Sequence, residues 1–238
     1  MNKLITLTSI LIALASHGVL GADSPDTTVI YSQDFTPTEN PRDLNHRRPT
    51  KGNGGWVSNY SGIMNDGLAK FGYCYLPFTP VAGKIYTLSV DMVATGADGS
   101  WSAMGFQTGG SETAFNTSGA GWQLVNPGGM MELRSEGKAI ANGTQIGDAP
   151  IVDPDSTNTF TIELNTAGDK WVETFRLDNV VMKTHTYTTN PDIQFVGLMS
   201  FSQPDKKPGK FSGTFSLTEK PAGKPGTEKP AEKTGGAQ

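Results

Sequence analysis

The sequence predicts an all-β protein, two antiparallel sheets packed as a jelly-roll sandwich, on three observations. Its 29 glycines and 15 prolines fall mostly between short runs rich in Val, Ile, Thr, Phe, Tyr and Trp, which is the punctuation of strands and turns. Several runs alternate apolar and polar residues, the period of a strand with one face buried and one wet. No window of helical length sustains a 3.6-residue period. Roughly a dozen short strands with Gly-rich turns suit two packed sheets.

The chain opens on MNKLITLTSILIALASHGVLGA. A basic start at Lys3, an apolar run from Leu4 to Ala15 and small residues at Gly21 and Ala22 have the layout of a secretory signal peptide over 1–22, cleaved after Gly21 or Ala22. The run is too short for a permanent membrane span, and no later stretch approaches the roughly 20 apolar residues that one needs. No cysteine stands at the cleavage point to take a lipid. The expectation is an exported protein, secreted, periplasmic or at the cell surface, with no transmembrane segment.

One domain is expected over 23–218, a length at which sandwiches form a single unit. Strands are expected near 28–35, 55–60, 68–77, 84–93, 101–107, 121–125, 130–135, 158–165, 170–177, 179–185, 193–201 and 210–217. In IYTLSVDM, Tyr86, Leu88, Val90 and Met92 share one face. In TFTIELN, Phe160, Ile162 and Leu164 do, and in GKFSGTFSL, Phe211, Phe215 and Leu217 do. The single cysteine, Cys74 in FGYCYLPF, is flanked by aromatics and reads as a small buried hydrophobe. With one cysteine, an exported chain holds together by packing rather than by disulfides. The last stretch, 219–238, carries no large apolar residue and reads as a disordered tail.

Charge argues against polyanions as partners. Lys and Arg number 19 against 23 Asp and Glu, a net charge of −4, and no basic stripe recurs, so nucleic acid is excluded as a ligand. NHRRPTKG, Asn45 to Gly52, is the one cationic cluster and reads as a solvated loop.

Five segments in order, QDFTPTENPRDLNHRRPTKGNGGWV, YLPFTPVAGKIYTLSVDM, WSAMGF, NTFTIELNT and GKFSGTFSLT, resemble the concanavalin A-like (LamG-type) jelly-roll domains of exported bacterial proteins. The resemblance spans nearly the whole mature domain. It implies the fold, and a function among lectins, carbohydrate-binding modules, glycoside hydrolases, polysaccharide lyases and adhesion domains, because fold alone does not choose. Many such domains hold a structural Ca²⁺, a hard ion that takes carboxylate and carbonyl oxygens. The resemblance places it at Asp34 in the early QDF strand, with Asp98 in a strand-connecting turn as the second position.

The residues offer little chemistry. Glycoside hydrolysis needs two carboxylates about 5–10 Å apart across the scissile bond, and the Glu-x-Asp-x-x-Glu run of the jelly-roll glucanases is absent. The nearest pairs are Glu132/Glu136, with a turn glycine following, and Glu173/Asp178, whose odd spacing turns its members to opposite faces. His46 and His185 accompany no Gly-x-Ser-x-Gly elbow, and no His/Cys/Asp spacing suggests zinc. A lyase base beside an arginine would fall to Tyr187 with Arg176 or Arg134.

Trp101 poses the sharper question. In WSAMGFQ, Trp101, Ala103, Gly105 and Gln107 share one face, and Ser102, Met104 and Phe106 the other. If Met104 and Phe106 face the core, Trp101 and Gln107 point outward as an aromatic plate with an amide, the way proteins hold sugars. Trp122, beside Gln123, offers a second plate, and Arg134, in phase with Glu132, a charged hydrogen bond. Trp171 and Glu173 share a strand face, which Phe175 and Leu177 continue as an apolar row. Against this, a sandwich also buries tryptophans at its sheet edges. The reading is an exported carbohydrate-binding or surface-recognition domain without catalysis, its partner a polysaccharide or other glycan. The alternatives are a glycan-cleaving enzyme, or a structural or adhesive envelope protein whose partner is a protein.

Overall fold

The computed structural model describes residues 26–223 apart from 61, 70, 97, 111–118 and 202–204. The expected signal peptide and the part of the tail beyond 223 lie outside the described residues. Among the described residues fourteen strands run in order: β1 (Thr28–Phe35), β2 (Val57–Tyr60), β3 (Leu68–Ala69), β4 (Gly72–Pro77), β5 (Lys84–Val93), β6 (Trp101–Gln107), β7 (Gly119–Val125), β8 (Met131–Ser135), β9 (Lys138–Gly143), β10 (Thr157–Asn165), β11 (Val172–Leu177), β12 (Val180–Thr186), β13 (Phe195–Phe201) and β14 (Gly209–Pro221). One sheet has the order β1-β14-β5-β10-β11-β12, with β3 also on β14; the other is β2-β4-β13-β6-β7-β8-β9. The first and last strands pair antiparallel, which brings the two ends of the domain together. No helix among the described residues is long and apolar enough to cross a membrane.

The core lies between the sheets, and the alternation read from sequence fills it. Tyr86, Leu88, Val90 and Met92 of β5, Phe160, Ile162 and Leu164 of β10, and Phe211, Phe215 and Leu217 of β14 are all buried in it. Each such side chain taken from water contributes roughly 1.5–3 kcal/mol. Trp56 joins them, its ring 5.3 Å from Phe215 and its indole N–H donated to Gln33 Oε1 at 3.2 Å. Cys74 is buried as expected, and burial pushes its thiol well above the ordinary range.

Three elements differ from the sequence reading. The run 68–77 is two strands, because β3 pairs with β14 in the first sheet and β4 with β13 in the second; the chain changes sheets between them. β9 was not expected, since KAIANG carries little β-branched or alternating character; as an exposed edge strand it needs none. Its hairpin closes through Glu136 and Gly137, both with positive φ (49° and 72°), the two-residue turn whose twist matches paired strands. Finally, β14 runs past 218 to Pro221, pairing Lys220 with Ile85 and Pro221 with Lys84 of β5.

Candidate functional site

Met104 and Phe106 of β6 lie in the core between the sheets, so Trp101, Ala103, Gly105 and Gln107 face outward from the second sheet. Pairing then assembles an aromatic face across five strands. One rung reads Tyr75, Gly197, Gly105, Trp122, Arg134 across β4, β13, β6, β7 and β8. The next reads Tyr73, Met199, Ala103, Leu124, Glu132. At one end Phe201 pairs with Trp101, and at the other Phe195 pairs with Gln107. Of these, Tyr73, Tyr75, Ala103, Trp122, Leu124 and Met199, with Trp101 and Phe195 packed against them, form a second apolar cluster separate from the core.

Glycine at two positions lets the face close. A Cβ on Gly105 would stand 2.3 Å from Trp122 Cβ and 2.5 Å from the Gly121 carbonyl oxygen, so β7 approaches β6 where no side chain intervenes. A Cβ on Gly197 would meet the Cys74 carbonyl oxygen at 2.4 Å and Gln107 Nε2 at 3.1 Å; the glutamine amide lies above this glycine. Gln107 is fully buried, and neither of its amide atoms has a hydrogen-bond partner among the described residues.

The rings are ordered against one another. Tyr73 and Tyr75 stack at 6.0 Å and 10°, and Phe195 meets Tyr75 edge-on at 4.8 Å. Trp101 stacks on Phe201 at 5.9 Å and 17°, and Phe71 meets Phe201 edge-on at 5.5 Å. Stacking on Phe201 leaves at most one face of the Trp101 indole for a ligand. The Arg134 guanidinium lies 5.5 Å from the Trp122 ring centroid, donates to Glu132 Oε1 at 2.7 Å and to the Gly137 carbonyl at 3.2 Å. Arg134 therefore brings cation–π character to the face with its charge balanced by Glu132.

Exposure divides the face. Tyr73, Tyr75 and Trp122 point outward yet are only 2%, 7% and 2% exposed. Gly110, just past β6, closes on the Tyr75 ring. The open end is Phe71 and Phe201, 36% and 43% exposed, with the half-buried Trp101 beside them.

Of the residues nominated from sequence, the structure brings together Trp101, Gln107, Trp122 and Arg134. Gln123 departs from its expected role: it faces the opposite side of β7 from Trp122, and the amide on the aromatic face is Gln107. Trp171 and Glu173 belong to the other sheet, on the inward face that Phe175 and Leu177 continue; Trp171 packs against the main core and Glu173 is fully buried. Asp34 is exposed on β1 and accepts from Thr214 Oγ1 at 2.9 Å, while Asp98 lies 3.5 Å from Lys206 Nζ. No group of three or more His, Cys, Asp or Glu able to hold a metal occurs among the described residues. Tyr73, Tyr75, Phe195 and Phe201 were missed, although the alternation around Cys74 in FGYCYLPF already turns both tyrosines away from the core.

The carboxylates weighed for hydrolysis are dispersed. Glu132 alone of them lies on the aromatic face, engaged with Arg134. Glu136 binds the Thr188 backbone N–H at 2.9 Å, the Thr188 hydroxyl, and His185 at 3.2 Å. Asp178, in the β11–β12 turn, accepts from Thr159 N–H and Asn158 Nδ2, both at 2.8 Å. Tyr187 is buried in the main core, whereas Arg134 lies on the outward face against Trp122 and Glu132, and Arg176 donates to the Asn179 carbonyl at 3.4 Å.

No protein-family model matches the chain, and no curated protein matches it in sequence. Solved structures do match. An endo-1,3-beta-glucanase from Streptomyces sioyaensis is 15% identical with a TM-score of 0.51, over 84% of this chain and 99% of that one. The carbohydrate recognition domain of Emp47p is 13% identical with a TM-score of 0.52, over the same shares of the two chains. At these identities the likeness speaks of architecture: the chain has the concanavalin A-like jelly-roll fold of lectins and glucanases.

Proposed function

We propose that the protein is an exported, non-catalytic carbohydrate-binding domain that takes a glycan on the outward aromatic face of its second sheet. The observation that carries this reading is the open end of that face, where half-buried Trp101 stacks on exposed Phe201 beside Phe71. Apolar C–H faces of a sugar pack on such rings, and a few convergent polar groups orient its hydroxyls. Arg134 and Glu132 supply polar groups along the same sheet. The fold is one that a glucanase and a carbohydrate recognition domain share, which is consistent with a glycan ligand and leaves catalysis to be argued from the site. The engagement of Glu132 by Arg134, and of Glu136 by Thr188 and His185, favours binding over cleavage. Export rests on the N-terminal sequence pattern.

A polysaccharide array and a reducing-end assay on one purified sample test the proposal. Binding without new reducing ends is the expected result. New reducing ends would replace it with a glycan-cleaving enzyme, and silence in both assays with a structural or adhesive envelope protein.

A further inference from the structure

Glu173 is the anomaly of the fold. It lies on β11 of the first sheet, and its carboxyl group crosses the interior to lie on the backbone of β7 in the second, where a Cβ on Gly121 would overlap it. It is fully buried, and neither oxygen makes a full hydrogen bond among the described residues. The hydroxyls of Tyr187 and Ser135 both bear on it and are themselves buried. At the rim of the same end, Glu136 of the β8–β9 turn binds His185 of β12 and Thr188 beyond it, a second tie between the sheets.

We propose that these groups form a proton-linked clasp between the two sheets, closed while Glu173 carries a proton and loosened when its carboxyl group ionises. An ionised carboxylate without a cation or full hydrogen bonds is costly in the interior, whereas its neutral form is tolerated. No lysine or arginine is among the facing groups. β7 presents Gly121, β8 presents Ser135 and β10 presents Leu164. β12 presents His185, which is the register partner of Glu173 and is engaged with Glu136 at 3.2 Å, and the chain after β12 presents Tyr187. Burial accordingly pushes the Glu173 carboxyl up to about 8, with Tyr187 and Ser135 opposing the shift. Glu136 is shifted the other way, its carboxylate favoured mainly by the Thr188 hydroxyl.

The two ties set a window. Between about 4.5 and about 8 the folded chain holds a proton on Glu173 that the unfolded chain has released, so stability falls as pH rises through that range and levels off above it. Glu136 contributes above the ordinary glutamate range, and its share is lost as pH falls through its lowered value. The clasp backs directly onto the aromatic face, because Gly121 and Ser135 alternate with Trp122 and Arg134 along β7 and β8. Loosening it loosens the strands that carry those residues, and this holds whether or not the face binds a glycan.

The test compares wild type with Glu173→Gln by thermal melts from roughly pH 5 to 9.5 and by amide hydrogen exchange, corrected for intrinsic rates, in 119–125, 131–135 and 172–177. Wild type should lose Tm up to about pH 8 and show roughly tenfold faster corrected exchange in those strands at pH 9.5 than at pH 6, while Glu173→Gln holds steady. Tyr187→Phe keeps the carboxyl group and removes a hydroxyl that favours its ionised form, so its loss of Tm should extend to higher pH. Parallel pH profiles for wild type and Glu173→Gln, or exchange in the three strands that does not change with pH, would overturn the clasp. Where Glu173→Gln does not fold, an unshifted profile in Tyr187→Phe does the same.

Discussion

Replacing Trp101 and Trp122 by alanine, one at a time, separates a ligand platform from a core on a single sheet face. Both indoles point outward from the second sheet, but Trp122 is 2% exposed, while Trp101 is half-buried and shares its stacking with the 43% exposed Phe201. Truncating a buried tryptophan costs about 3–5 kcal/mol. In a domain of this size each kcal/mol moves Tm by about 2–4 °C, so Trp122→Ala should melt about 10 °C below wild type. Trp101→Ala gives up a partly exposed aromatic pair worth about 0.5–1.5 kcal/mol, plus modest burial, and should melt within about 5 °C of wild type. Its effect on binding runs the other way. A central aromatic contact is worth about 2 kcal/mol or more, so affinity for the polysaccharide identified on the array should fall at least tenfold. Circular dichroism melts and affinity electrophoresis on the same preparations read both quantities. If Trp101→Ala melts as low as Trp122→Ala, Trp101 closes a core and the platform reasoning fails. It also fails if Trp101→Ala folds normally and binds as wild type.

Two further outcomes follow from named contacts. Gly105→Ala places a Cβ 2.3 Å from Trp122 Cβ and 2.5 Å from the Gly121 carbonyl, so β6 and β7 must part; we expect a loss of about 1–3 kcal/mol, the usual cost of overpacking, read as a lower urea midpoint. A midpoint within error of wild type would show that the close approach of β7 at this rung is not required. A structural calcium at Asp34 predicts that EDTA lowers Tm in wild type and leaves Asp34→Asn unchanged, because an ion that binds only the folded state stabilises it by mass action. Melts of wild type that coincide with and without EDTA would remove the ion.

Much of this molecule was readable along the chain, because alternation is a local property. Tyr86, Leu88, Val90 and Met92 announce their buried face through period-two spacing alone, and the phase of Met104 and Phe106 turns Trp101 outward before any partner strand is known. The turn glycine after Glu136 was legible, but the hairpin it closes was not: β9 has low strand propensity and packs only Ile140 and Ala141 against the core, so it left no alternation to find. The split of 68–77 into β3 and β4 was invisible for a different reason. Each half obeys strand rules, and only the separate pairing of β3 with β14 and β4 with β13 sends them to different sheets. The site depended on the same long-range register. Tyr75, Gly197, Gly105, Trp122 and Arg134 are scattered between positions 75 and 197 of the sequence, and they share a rung because backbone hydrogen bonds between β4, β13, β6, β7 and β8 align them. Glu173 marks the limit most clearly. Its strand phase placed it on an apolar row, but its lack of a partner arises from what the opposite sheet presents, the bare backbone at Gly121, and no spacing within β11 encodes what lies across a core.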